Sequence, residues 1–302
     1  MTTQIRISGI LMLLLIVQVS FGQSNQEKPH EKGQTAIQMM DNGQVDVSIK
    51  LLEEAQQLDP DRFDFPYELA YAHYIKEDFK EAIKILEKIE NYKDVNDRLY
   101  QLLGNAYDNI GKADKAVKIY EKGLKKFPNS GILHLESGII CMHDKEYDKA
   151  LSFFEKGIYV APAFPSNYYW ATRLYCSSTE AIWGMIYGEI FMNVERNSKR
   201  TVEISKLLFD TYKSQIVFTS DTSISVSFSK QMTININNLS DSNKLKFPYS
   251  MVYEPTLLMS IVNEKSIDII SLDRIRTYFV TNYYKNDFSK TTRMYFLNSK
   301  NK

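Results

Sequence analysis

Between Asp97 and Pro162 the chain carries one pattern twice, thirty-four residues apart. Tyr100, Leu103, Gly104, Tyr107, Ala116, Tyr120, Gly123 and Pro128 return as His134, Ser137, Gly138, Cys141, Ala150, Phe154, Gly157 and Pro162. A unit this short cannot bury an apolar face by itself, so its copies must stack on one another. Small residues at Gly104, Gly138, Ala116 and Ala150 predict pairs of helices in close approach, with Tyr120 and Phe154 filling the space toward the next pair. Gly111 suits a turn that needs a left-handed residue, and Pro128 and Pro162 stop the second helix of each pair.

This pattern resembles the tetratricopeptide repeat family. The resemblance implies a mainly α fold, an α-solenoid of helical hairpins. Carried backward, the register places a first repeat over Pro29–Arg62, turning at Gly43, and a second over Phe63–Asn96 with Leu69, Ala70, Ala82, Leu86 and Ile89 in its core. Four repeats satisfy the usual need for at least three stacked units. A degenerate fifth unit follows, with Tyr168, Ala171 and Tyr175 on its first helix, Pro165 in the opening turn, and Ser178 or Thr179 capping a second helix to about Arg196. The repeats are therefore expected over residues 34–198, after a flexible lead-in at 23–33.

The first residues read differently. Arg6 precedes the apolar run Ile10 to Val17, and Ser20-Phe21-Gly22 offers small residues where a signal peptidase reads. Residues 1–22 are expected to be a secretory signal peptide with Gln23 as the mature N-terminus, and the protein to be exported, periplasmic or secreted. The run is short for a bilayer, and no later stretch is long and apolar enough to span one. The Ser-Phe-Gly-Gln ending resembles exported proteins of Bacteroidota-type bacteria. Two cysteines, Cys141 and Cys176, do not make a disulfide framework. With 37 Lys and Arg against 37 Asp and Glu, the formal charge is zero, which argues against a general affinity for nucleic acid.

Residues 199–302 are expected to form a smaller α+β portion. A helix is predicted over about Lys199–Tyr212. The β-branched runs 215–219 and 223–229 then read as strands, Ile224, Val226 and Phe228 alternating with serines, with a turn at Ser220-Asp221-Thr222. Met232–Ile236 reads as a third strand. Helices are predicted again around 254–259 and over Ser271–Tyr284, and a tail at 298–302 that frays. From about Tyr168 onward the chain is similar to a segment that follows such repeats in Bacteroidota proteins, a likeness that brings no activity with it.

No catalytic constellation stands out. The histidines His30, His73, His134 and His143 form no His-Glu-x-x-His pair, and there is no Gly-x-Ser-x-Gly elbow or phosphate-cradling glycine loop. In Cys141-Met142-His143-Asp144, the thiol is read as packing and the other two as closing a helix. Neither a metal nor a cofactor is implied. Trp170 and Trp183 are read as packing residues.

The family resemblance carries a groove with it, lined by the first helix of each hairpin. On this register the second repeat contributes Tyr67, Tyr71 and Tyr74. The third contributes Arg98, Gln101, Asn105, Asp108 and Asn109, and the fourth Ile132, Leu135, Ile139 and Met142. The fifth unit adds Tyr169 and Arg173. Asn105 and Arg173 match in type the residues with which part of the family grips a peptide carboxylate, but Gln101 and Ile139 do not complete that clamp. The expected function is a non-catalytic scaffold that binds a protein or peptide segment in this groove, tyrosine supplying area and asparagine hydrogen bonds. Two rival readings remain open: an envelope component whose groove is capped by its own C-terminal portion, across the strip Ile132–Met142, and an enzyme with a site in 214–302.

Overall fold

The second helices of successive hairpins begin at Val45, Phe79, Ala113, Tyr147 and Ala181, a spacing of thirty-four residues without exception. The computed structural model describes residues 29–220, 223–229 and 249–286, and within them this period organises the chain. The hairpins are α1 (29–41) with α2 (Val45–Leu58), α3 (Asp64–Ile75) with α4 (Phe79–Ile89), and α5 (Asp97–Asn109) with α6 (Ala113–Lys126). These are followed by α7 (Gly131–His143) with α8 (Tyr147–Val160) and α9 (Pro165–Cys176) with α10 (Ala181–Val194). The expected signal segment lies outside the described residues.

Turn chemistry explains the even spacing. The residue that reverses the chain between the two helices is left-handed at Gly43, Glu77, Gly111 and Lys145, with φ of 78°, 63°, 72° and 62°. Glycine adopts this conformation freely, whereas Glu77 and Lys145 do so against about 1–2 kcal/mol of steric cost. In the fifth hairpin the position falls on Thr179, which does not take it. There the cap residue is Glu180, not the expected Ser178 or Thr179, and Ser178 Oγ accepts the Glu180 N–H at 3.0 Å. The lead-in also differs from expectation, because the chain is already helical at 29. Gly33 lies against Phe65, where even a Cβ would come within 2.6 Å of the ring, so this turn is packed and held.

The described chain divides into two compact units, one up to Pro128 and one from Asn129. In the first, Ala36, Leu52, Ala55, Phe65 and Leu69 form a core between the first two hairpins. Gly104 gives its space to Tyr120, whose ring would stand 2.1 Å from a Cβ there. The second unit has one continuous core running from Leu135 through Phe154, Tyr187 and Leu208 to Ile275. That core crosses residue 198, where the repeats were expected to stop, because α11 (Lys199–Gln215) starts one period after α9 and packs on both α9 and α10. α11 is thus the first helix of a sixth repeat. Among the described residues no second helix follows it: α11 runs on through the turn position, and the β-branched sequence enters β1 (Ile216–Ser220) instead.

β1 pairs antiparallel with β2 (Ser223–Val226), Ile216 opposite Val226 and Phe218 opposite Ile224, with an irregularity before Ser220. The strands stop short of the expected 223–229, since Phe228 and Ser229 turn inward to meet α10 and a later helix. The third expected strand, the 221–222 turn and the 298–302 tail lie outside the described residues. α12 (Ser250–Ile261) and α13 (Ile269–Lys285) pack as a pair. α12 holds Pro255 within it, and α13 is capped by Asp268, three residues before the expected start at Ser271.

Candidate functional site

In the first unit the first-helix face is built from α3 and α5. Tyr67, expected to line a groove, is buried beneath it, its ring stacked at 5.5 Å on Phe63 and covered by the Arg98 guanidinium at 5.3 Å. Burial pushes its phenol up to about 12. What faces solvent there is the guanidinium itself, presented on an aromatic plate that limits its freedom. Glu68 lies beside it. Burial raises its carboxyl above the ordinary range, Arg98 opposes that rise, and Asp64 and Asp41 reinforce it.

Along the same face Tyr71 is exposed at 40%, and Tyr74 is half-buried, edge-on to Phe79 at 5.2 Å. Asn109 Nδ2 donates to the Tyr74 hydroxyl at 3.0 Å and to the Asn105 carbonyl at 2.8 Å. Asn105 is not the open hydrogen-bonding side chain that was expected, because its Oδ1 accepts from the Tyr120 hydroxyl of the neighbouring helix. Gln101 and Asp108 are half-buried. The exposed set is thus Tyr71, Arg98 and Asn109, with Arg98 held by Tyr67 and Asn109 by Tyr74 and Asn105.

The second unit treats the equivalent positions differently. Leu135 is buried, and Ile132, Ile139 and Met142 are half-buried, with Ile139 and Met142 packed on the unit's core, so the apolar strip is not an open surface. Tyr169 is buried too. Its hydroxyl donates to Glu203 Oε2 at 2.7 Å and accepts from Arg173 Nη1 at 2.7 Å. The Arg173 and Arg200 guanidinia stand 5.3 and 5.2 Å from its ring. Arg200 also pairs with Glu195 and donates to Ser166 Oγ at 3.0 Å. Arg173 is exposed but committed to Tyr169, and to the Trp170 ring at 4.9 Å.

Tyr67 with Arg98 and Tyr169 with Arg200 are the same device, each pair thirty-one residues apart. Arg200, Glu203 and Glu68 were missed as site residues. The first two could have been found by continuing the register one period past Pro165.

The C-terminal portion was expected, at one reading, to lie across this face. Among the described residues α11 does so in part, through Glu203. α12 and α13 instead meet α10 and the chain around Phe228: Trp183 lies 6.3 Å from Tyr249, Arg276 pairs with Glu189 at 2.5 Å, and Glu254 accepts from the Phe228 N–H at 2.7 Å.

Cys141 and Cys176 are free thiols, the first pushed up by burial and the second raised to about 11 by the same cause. His143 and Asp144 are exposed at the end of α7. Among the described residues no group of three or more His, Cys, Asp or Glu converges to hold a metal ion, and no helix is long and apolar enough to cross a membrane.

Residues 39–106 and 102–168 each match a tetratricopeptide repeat family model. A thermophilic TPR protein of Thermus thermophilus superposes with a TM-score of 0.50 at 17% identity, over 60% of this chain and 98% of that one. The pilF protein of Pseudomonas aeruginosa does so with a TM-score of 0.52 at 18% identity, over 63% and 90%. At such identities the likeness speaks for the fold alone. No curated protein matches. Repeats of this family are generally non-catalytic and typically bind protein partners. With the family models spanning 39–168 and the hairpin period running through them, the chain is a tetratricopeptide repeat protein.

Proposed function

We propose that this protein is a non-catalytic scaffold that binds an extended peptide segment of a partner across α3 and α5. One observation carries the reading. Tyr71, Arg98 and Asn109 stand exposed on one face, Arg98 and Asn109 oriented by contacts beneath them, whereas in the second unit Leu135 and Tyr169 are buried, Ile139 and Met142 pack on the core and Arg173 is committed to Tyr169. A ring, a stacked guanidinium and an amide offer contact area, charge and hydrogen bonds to a peptide backbone with little ordering still to be done.

Selection of a random peptide display library on the purified protein tests it. Peptides enriched on the parent are expected to bind at least about tenfold more weakly to a Tyr71→Ala, Arg98→Ala double variant, the scale of losing an anchor residue. Equal enrichment on both proteins would remove this face from consideration.

We also propose that the protein is exported with loss of residues 1–22. Intact-mass measurement of material recovered outside the cytoplasm should then begin at Gln23, with or without pyroglutamate. A mass that retains Met1 in a membrane fraction would mean the segment is an anchor.

A further inference from the structure

Among the described residues the sixth repeat has a first helix and no second one, yet its α11 face keeps residue types that a second helix would pack on. In α9 that face is Tyr168, Ala171, Thr172 and Tyr175, and α10 covers it. The Tyr168 and Tyr175 rings lie 6.1 and 5.9 Å from Tyr187, and Thr172 Cγ2 would be 3.1 Å from a Cβ on Gly188. One period later the same positions on α11 are Val202, Ser205, Lys206 and Phe209. An apolar residue, a small one and an aromatic are retained, and only Lys206 departs from the pattern.

Instead of a covering helix, among the described residues α11 faces an open slot of about 670 Å³, walled also by α13 and by Glu189 and Met192 of α10. Val202, Lys206 and Phe209 line one side and Ile269, Leu272 and Arg276 the other. Two of its lining residues, Val202 and Ile269, are 71% and 80% exposed. Isolated exposed aliphatics are ordinary, but two that line one slot, beside a helix face in packing register, mark a docking surface.

Lys206 sets the chemistry of the occupant. It stands where earlier repeats have Ala70, Gly104, Gly138 and Thr172, and among the described residues its ammonium is engaged by Asp210 of its own helix, at 2.5 Å. That exposed pair is weak, so a helix entering the slot at this level is favoured by a carboxylate there over a large apolar residue. We propose that the slot takes an amphipathic helix supplied by a protein partner, apolar along one edge and carrying Asp or Glu opposite Lys206, which completes the sixth hairpin in trans.

The test uses the full chain and two helix-stapled peptides. One has the sequence of α8, Tyr147–Val160, and the other the same sequence with Phe154→Glu, the position that faces the close-contact residue in the fourth hairpin. Both should bind saturably by fluorescence anisotropy, the glutamate peptide about tenfold more tightly, as one well-placed charge pair allows. Val202→Asp should weaken both at least about tenfold, and Lys206→Ala should erase the preference between them. Both substituted side chains are exposed, so unchanged circular dichroism and melting will show the variants folded. Binding of neither peptide, or binding indifferent to Val202→Asp, overturns the proposal. So does sedimentation showing a dimer that Val202→Asp dissociates, because the slot would then belong to a second copy of this chain.

Discussion

Phe228→Ala is expected to cost the second unit about 3–5 kcal/mol, the usual range for removing a fully buried phenylalanine. The ring is 1% exposed and sits edge-on between Tyr212 of α11 and Tyr253 of α12, at 5.7 and 5.5 Å. Its backbone is held as firmly. The N–H donates to Glu254 Oε1, the carbonyl accepts from the Ile182 N–H at 3.2 Å, and the next residue's N–H donates to the same Glu254 oxygen at 2.8 Å. Ser229 Oγ adds a hydrogen bond to Glu180 at 2.7 Å. One residue therefore ties α10, α11 and α12 together, and the alanine variant loses the packing while the hydrogen bonds remain geometrically possible. Urea denaturation followed by near-ultraviolet circular dichroism, which reports the tyrosine environment, measures it. A loss under about 1 kcal/mol would mean that α12 and α13 are held to the unit by other contacts.

The second large effect is expected at Gly138. A Cβ at this position would stand 2.4 Å from Phe154 Cε1 and 2.7 Å from Cδ1, and Phe154 is fully buried, so the ring has nowhere to retreat. Gly138→Leu should destabilise at or beyond the top of the roughly 1–3 kcal/mol that overpacking usually costs. The compensating pair Gly138→Leu with Phe154→Ala should recover part of the loss, since it returns volume at the same contact. Melting of the single variant at the parent's temperature would show that α7 and α8 do not approach as described. A double variant less stable than the sum of its single changes would show that the two residues do not share one space.

Much of this architecture was legible in the residues. The thirty-four-residue period follows from where small residues must fall for two helices to approach, and that need is local enough to leave a mark at Gly104, Gly138, Ala116 and Ala150. Gly43 and Gly111 likewise announce their turns, because only glycine reaches the left-handed region without cost. The strands near 216–226 are announced by alternation. Glu77 and Lys145 take the same backbone conformation without any signal in their identity, since there the surrounding hairpin, rather than the residue, decides the dihedral.

Which side chains of a shared register face solvent was settled by packing between helices. Tyr67 and Tyr71 are one turn apart on α3 and chemically identical, yet the first is buried and the second exposed, because Phe63 and Arg98 both pack on the first. The residues alone were enough for the period, the helical pairs and the small-residue contacts, all of which depend on positions within one repeat or its copy. They were not enough to show that α11 joins the repeats, that Glu203 engages Tyr169, or that Phe228 folds into a pocket between Tyr212 and Tyr253. Those outcomes depend on which distant surfaces lose their water together, a property of the assembled packing that no single stretch of the chain encodes.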